Sequence, residues 1–149
     1  MNKMEQLKKD LYLNFPLRNT LSWEEIAPHD CEECFDIRDD FFDKTWDQID
    51  SKTLKYHHDS LPFFSAKAFQ YYLSAYILAK ILDMNAAGCD LLEYARCPNE
   101  NESNELMFER RKIFTEGQKD VIVKFLEEWG KKDSYNQGEY KRGIEFWKK

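Results

Sequence analysis

The stretch SAKAFQYYLSAYILAKILDMN, residues 65–85, decides the fold class. Its apolar side chains Ala68, Phe69, Tyr72, Leu73, Tyr76, Ile77 and Ile81 recur mainly at three- and four-residue steps, the period of an α-helix. Ser65 stands where an N-cap hydroxyl is wanted, and Gly88 is placed to end the helix as a C′ residue, since it can take positive φ without a Cβ clash. This is the most apolar helix the chain offers.

The same periodicity extends outward in both directions. Met4, Leu7, Leu11 and Phe15 predict a first helix that Pro16 ends. Ser22-Trp23-Glu24-Glu25 has the form of a capping box, but Pro28 leaves room for only a short helix behind it. Asp30-Cys31-Glu32-Glu33 repeats the pattern with Asp30 as cap, and a long helix is expected from about Cys31 to Asp50. Residues 51–62 read as irregular up to Pro62. A short helix is expected around Cys89 to Arg96 and a polar loop over Asn99 to Asn104, while Leu106 to Phe114 has no assignable pattern. Thr115-Glu116-Gly117-Gln118 is a third capping box, opening a helix with Val121, Ile122, Phe125, Leu126 and Trp129 inward, and Tyr140, Ile144 and Trp147 form a last stripe. With five glycines, four prolines, no repeat and no linker, the expectation is an all-α fold. It should form a single helical domain over residues 1–149, with about five to seven helices.

Composition narrows the function. The 42% hydrophobic and 15% aromatic content of the 149 residues excludes a disordered chain. Charged residues at 34% and a mean hydropathy of −0.76 leave no run long enough to span a membrane. Net charge −6 argues against a nucleic-acid binder, which needs a basic face. No apolar leader follows Met1, so a cytoplasmic protein with reduced thiols is expected.

The charge is unevenly spread. Residues 30–50 hold nine acids against two bases, a net −7, so the rest of the chain is nearly balanced. On a helical wheel Glu33, Asp36, Asp40, Asp43, Asp47 and Asp50 fall within about 100° of arc, making a ridge roughly 25 Å long. Cys31, Cys34, Phe35, Phe41, Phe42, Thr45, Trp46 and Ile49 take the other side, with Arg38 among them. The Arg38 stem is expected along the core, its head reaching an edge or a buried acid. Acids four apart repel within a helix, by about 0.2–0.5 kcal/mol a pair, so folding alone does not account for such a ridge. A docking surface for a basic partner does, because complementary charge speeds encounter and selects partners.

His29-Asp30-Cys31-Glu32-Glu33-Cys34 offers His29, Cys31 and Cys34 as zinc ligands, with Cys89, Cys97, His57 or His58 as a fourth. No second Cys-x-x-Cys accompanies it, and no pair of histidines separated by three to five residues follows. As a redox pair, Cys31 would gain from a helix N-terminus, which Glu32 and Glu33 oppose. His57 and His58, beside Asp59, read as an exposed loop pair. Tyr71, Tyr72, Tyr76 and Trp46 read as core aromatics with hydroxyls reaching outward. No metalloprotease, phosphate-loop, nucleophile-elbow or dinucleotide motif is present, which gives no catalytic residue to name.

The run from Leu61 to Tyr76, with Asp30-Cys31-Glu32-Glu33-Cys34 and Trp46-Asp47-Gln48-Ile49 before it, resembles a family of small bacterial proteins of unknown function. That family carries an A-F-x-Y-Y-L-P-A-[YF] block, and Ser74 stands here where its members tend to have proline. The resemblance implies a compact helical domain and brings no activity with it. The resulting expectation is a non-enzymatic module that docks a basic protein through Glu33, Asp36, Asp40, Asp43, Asp47 and Asp50, in concrete form an immunity protein neutralising a nuclease-type toxin. The alternative is a small zinc-binding protein using His29, Cys31 and Cys34.

Overall fold

The computed structural model describes residues 2–83, 105–132 and 137–148, and everything below refers to them. Eight α-helices occupy these residues: α1 (Lys3–Asn14), α2 (Trp23–Ile26), α3 (Glu32–Phe41), α4 (Ser51–Tyr56), α5 (Ala66–Leu82), α6 (Glu105–Lys112), α7 (Glu116–Gly130) and α8 (Gln137–Lys148). Two 3-10 turns, Trp46–Gln48 and Leu61–Phe63, complete them, and no strand occurs among the described residues. The fold is all-α. The chain divides into two compact units, Phe15–Asp90 and Met1–Asn14 with Leu91–Lys149, each treated by itself.

The first of these is organised on α5. Ser65 caps it, its hydroxyl accepting from the Ala68 amide at 3.1 Å. The same hydroxyl donates to the Glu25 carbonyl, and the Ser65 amide donates to the Ile26 carbonyl at 3.0 Å, so the helix start is tied to α2. Every residue from Tyr72 to Leu78 is buried, which means that the middle of α5 is covered on all sides. Only a helix with no polar face survives that environment. It ends at Leu82, with Asp83 extended, short of the Asn85 expected from the sequence. The Ser22 capping box is present, with Glu25 returning a bond to the Ser22 amide at 3.1 Å.

The long acidic helix is not. Its helical part, α3, starts from Cys31 rather than Asp30, with no side-chain cap, and stops at Phe41. Asp43 then sits at φ 61°, a left-handed conformation in which an α-helix cannot continue. Thr45 opens the 3-10 turn with its own capping box, closed by Gln48, and Asp50 caps α4, accepting from the Thr53 amide at 2.7 Å. The i,i+4 acid pairs Asp39–Asp43 and Asp43–Asp47 therefore never share a helix. The expected apolar face is redistributed as well: Cys34, Phe41, Trp46 and Ile49 are buried, whereas Cys31, Phe35 and Phe42 are exposed. Residues 51–56, read as irregular, are helical.

In the other unit, Leu7 and Leu11 of α1 are buried, and α7 buries Val121, Ile122, Phe125, Leu126 and Trp129 as its spacing predicts. Its capping box is formed: Thr115 Oγ1 accepts from Gln118, and Gln118 Oε1 accepts from Thr115, both at 3.1 Å. Gln118 Nε2 also donates to the Asn14 carbonyl at 3.0 Å, fixing α7 to the end of α1. Tyr140, Phe146 and Trp147 are the buried aromatics of α8, with Ile144 partly covered. The stretch without an assignable pattern contains α6, whose Arg111 lies between the Phe108 and Phe146 rings and donates to the Phe146 carbonyl at 3.0 Å. The expected Gly88 cap, the Cys89–Arg96 helix and the 99–104 loop lie outside the described residues.

Candidate functional site

Tyrosines of α5 hold the broken acidic segment in place. The Tyr72 hydroxyl lies 2.6 Å from the Phe41 carbonyl and 3.0 Å from the Lys44 carbonyl, where the end of α3 leaves backbone acceptors unpaired. Burial raises its pKa far above the ordinary phenol value, so it is a permanent donor. Tyr71 donates to the Leu17 carbonyl at 2.5 Å and accepts from the Trp46 amide at 3.2 Å. Trp46, 1% exposed, aims its indole N–H at the Phe15 and Pro16 carbonyls. Tyr72 and Trp46 are core and Tyr71 is half-buried, and both tyrosine hydroxyls bond backbone.

His57 is also inside. It is 2% exposed, not the exposed loop residue expected, and its Nε2 contacts Asp40 Oδ2 at 2.6 Å while Nδ1 contacts Ser60 Oγ at 3.1 Å. With the proton on Nε2 donated to Asp40, Nδ1 can accept from the Ser60 hydroxyl. Tyr76 donates to the His57 carbonyl at 2.7 Å, and the Phe41 ring meets the imidazole edge-on. The order Ser60–His57–Asp40 is that of a hydrolase triad. With His57 at 2% and Ser60 at 5% exposure, however, the arrangement fastens the loop after α4 onto α3 and presents no nucleophile.

Next to this network lies a small cleft of about 120 Å³, lined by Glu33, Asp36, Tyr56, His57, Asp59 and Ser60. Glu33 and Asp36 are exposed on successive turns of α3, and no ion pair to either exists among the described residues. Tyr56, 67% exposed, stands at the rim. Three carboxylates around an opening beside an aromatic ring suit a lysine or arginine side chain.

Three other acids of the expected ridge are bonded within the fold: Asp40 to His57, Asp47 to the Thr45 hydroxyl at 2.7 Å, and Asp50 as a cap. Asp43 is exposed on the left-handed turn that follows α3. Asp50 is held below the ordinary carboxylate value by its bonds to Thr53. Arg38 is buried, with 4% exposed; it donates to the Ala27 carbonyl and pairs at 3.6 Å with Asp30, an exposed acid and not a buried one.

Of the proposed metal ligands, Cys31 and Cys34 come together with Sγ atoms 3.0 Å apart. His29 does not join them as a ligand set: no group of three metal-binding side chains is assembled among the described residues. Cys89 and Cys97 lie outside those residues. No described helix is long and apolar enough to cross a membrane.

Residues 32–149 match the model described as Family of unknown function (DUF6714), and the chain belongs to that family. The resemblance seen in the sequence and this match agree on an uncharacterised family with no assigned activity. No curated protein matches the chain, and no solved structure does.

Proposed function

We propose that this member of a family of unknown function is a protein-binding module that docks a basic partner on the acidic cleft between α3 and the loop after α4. The observation that carries the reading is the pair Glu33 and Asp36, exposed, without a cation partner among the described residues, and opening on one cleft with Asp59 and Tyr56. The docking set is thus narrower than the six-carboxylate ridge, because Asp40, Asp47 and Asp50 are bonded locally and Asp43 lies off α3 and does not line the cleft. The fold supports this use. A tyrosine-clamped, buried-histidine scaffold behind the cleft holds its walls in one geometry, which lowers the ordering cost of binding.

The partner class that fits is a protein whose own working surface is cationic. A nuclease toxin is the concrete case, since its cleft must attract phosphate, and an inhibitor needs only to cover it. The test is calorimetric titration of the protein with an oligo-arginine peptide, at low and high salt, in wild type and in a Glu33→Lys/Asp36→Lys variant. The reading expects saturable binding that weakens with salt and falls at least about tenfold in the variant. Reversing Asp120 on α7 should leave the affinity as it was. Equal losses for both reversals would mean diffuse charge attraction and would end the proposal.

A further inference from the structure

Cys31 and Cys34 share a helix start in a way that treats them unequally. Cys31 is the N-cap residue of α3 and is exposed; Cys34, three residues on, is buried at 0%. Their sulfurs are 3.0 Å apart, so a disulfide of about 2.05 Å needs a movement of only about 1 Å. Cys31 makes no side-chain cap bond to α3. Both sulfurs stand at a helix start, where negative charge is favoured. One sulfur is thus accessible, and the other is covered and in contact with it.

We infer that Cys31 and Cys34 form a redox-active dithiol that exchanges with the disulfide of a low-molecular-weight thiol. The Cys31 thiolate attacks one sulfur of the disulfide RSSR, forming a Cys31–SR mixed disulfide and releasing RS⁻. Cys34 gives up its proton to solvent or to the released thiolate, and its sulfur attacks Cys31 Sγ. The Cys31–SR bond breaks, the Cys31–Cys34 bond forms, and a second RS⁻ leaves. In balance, the protein dithiol and RSSR become the protein disulfide and two RSH, with two electrons passing from the dithiol to RSSR. The reverse reaction restores the dithiol. Glu32 and Glu33, exposed in the first turn, repel an anionic disulfide and slow this exchange without preventing it. The inference stands on the sulfur geometry and does not depend on the docking reading.

The test incubates the full chain with oxidised glutathione, quenches with an alkylating agent, and maps the thiols by peptide mass spectrometry. The expected result is a Cys31–Cys34 disulfide that excess reduced glutathione reopens. A Cys34→Ser variant should instead accumulate glutathione on Cys31, and a Cys31→Ser variant should leave Cys34 unmodified while the protein stays folded. Because both variants retain Cys89 and Cys97, the mapping must be peptide-resolved, and the wild-type mapping stands without them if either fails to fold. Modification of Cys34 ahead of Cys31, a bridge that excess thiol cannot reopen, or stoichiometric zinc held by these thiols in the purified protein would each overturn the inference.

Discussion

The Tyr72 hydroxyl meets the Phe41 carbonyl at 2.6 Å, joining the middle of the buried helix α5 to the last residue of the acidic helix α3. The bond is made where α3 runs out of its own acceptor partners, and Asn19 adds a donor to the same hydroxyl at 3.1 Å. Replacing Tyr72 by Phe keeps the ring and removes the short bond to the Phe41 carbonyl, which retains the Lys44 amide at 3.3 Å, while the Lys44 carbonyl keeps Asn19 Nδ2 at 2.8 Å. The expected loss is about 0.5–1.5 kcal/mol of unfolding free energy. Urea unfolding measures it, and the midpoint should fall with the slope unchanged.

A second expectation concerns Asp40. Removing its carboxylate as Asp40→Ala leaves His57 Nε2, buried to 3% at the side chain, without its 2.6 Å partner. That should destabilise by about 1–3 kcal/mol, whereas Asp40→Asn keeps an accepting oxygen and should lose less. A docking-only role for Asp40 would show the opposite: unchanged stability in both variants.

Asp43 provides a backbone test. At φ 61° a β-branched residue meets a steric penalty that glycine does not. Asp43→Val should destabilise by about 1–2 kcal/mol, and Asp43→Gly should be neutral or slightly stabilising. If residues 30–50 formed a continuous helix in solution, glycine would be the more harmful of the two. Thermal melts of the two variants decide between these outcomes.

The break that Asp43 marks is also where reading the sequence and seeing the structure part company. Helix α5 was legible because a buried helix needs apolar residues at a fixed period, and the capping boxes at Ser22 and Thr115 because each is a local pair of reciprocal bonds. The acidic segment misled for a related reason. Asp47 and Asp50 fall at three- and four-residue steps, but they sit beside Thr45 and at the start of α4, where short polar side chains serve turns and caps. Thr45-Trp46-Asp47-Gln48 is itself a capping-box pattern, and it was the available signal for a new start at that point. The burial of His57 had no such signal, since its partner Asp40 lies 17 residues away and only the packing of α3 brings the two together. For the site, Glu33 and Asp36 were visible as exposed acids of α3, while Tyr56 and Asp59 join them only through the tertiary fold.

The Asp50 cap makes stability depend on acidity. Its carboxylate has a lower pKa folded than unfolded, because the ionised form accepts the Thr53 amide. Such a group contributes stability that is fully present above its unfolded pKa, near 3.9, and is lost as the pH falls through the folded value. Acid titration of the fold should therefore show a smaller stability loss in Asp50→Asn, which still caps but does not titrate, than in wild type. Identical acid profiles would remove Asp50 from the linkage.

The account turns on whether the cleft beside α3 receives cationic side chains in solution. Titrating ¹⁵N-labelled protein with an oligo-arginine peptide, and following each backbone amide by NMR, tests this most directly. The prediction is that shifts concentrate at residues 33–40 and 56–60 and collapse at high salt. Shifts scattered over acids of every helix, or none near Glu33, Asp36 and Tyr56, would contradict it.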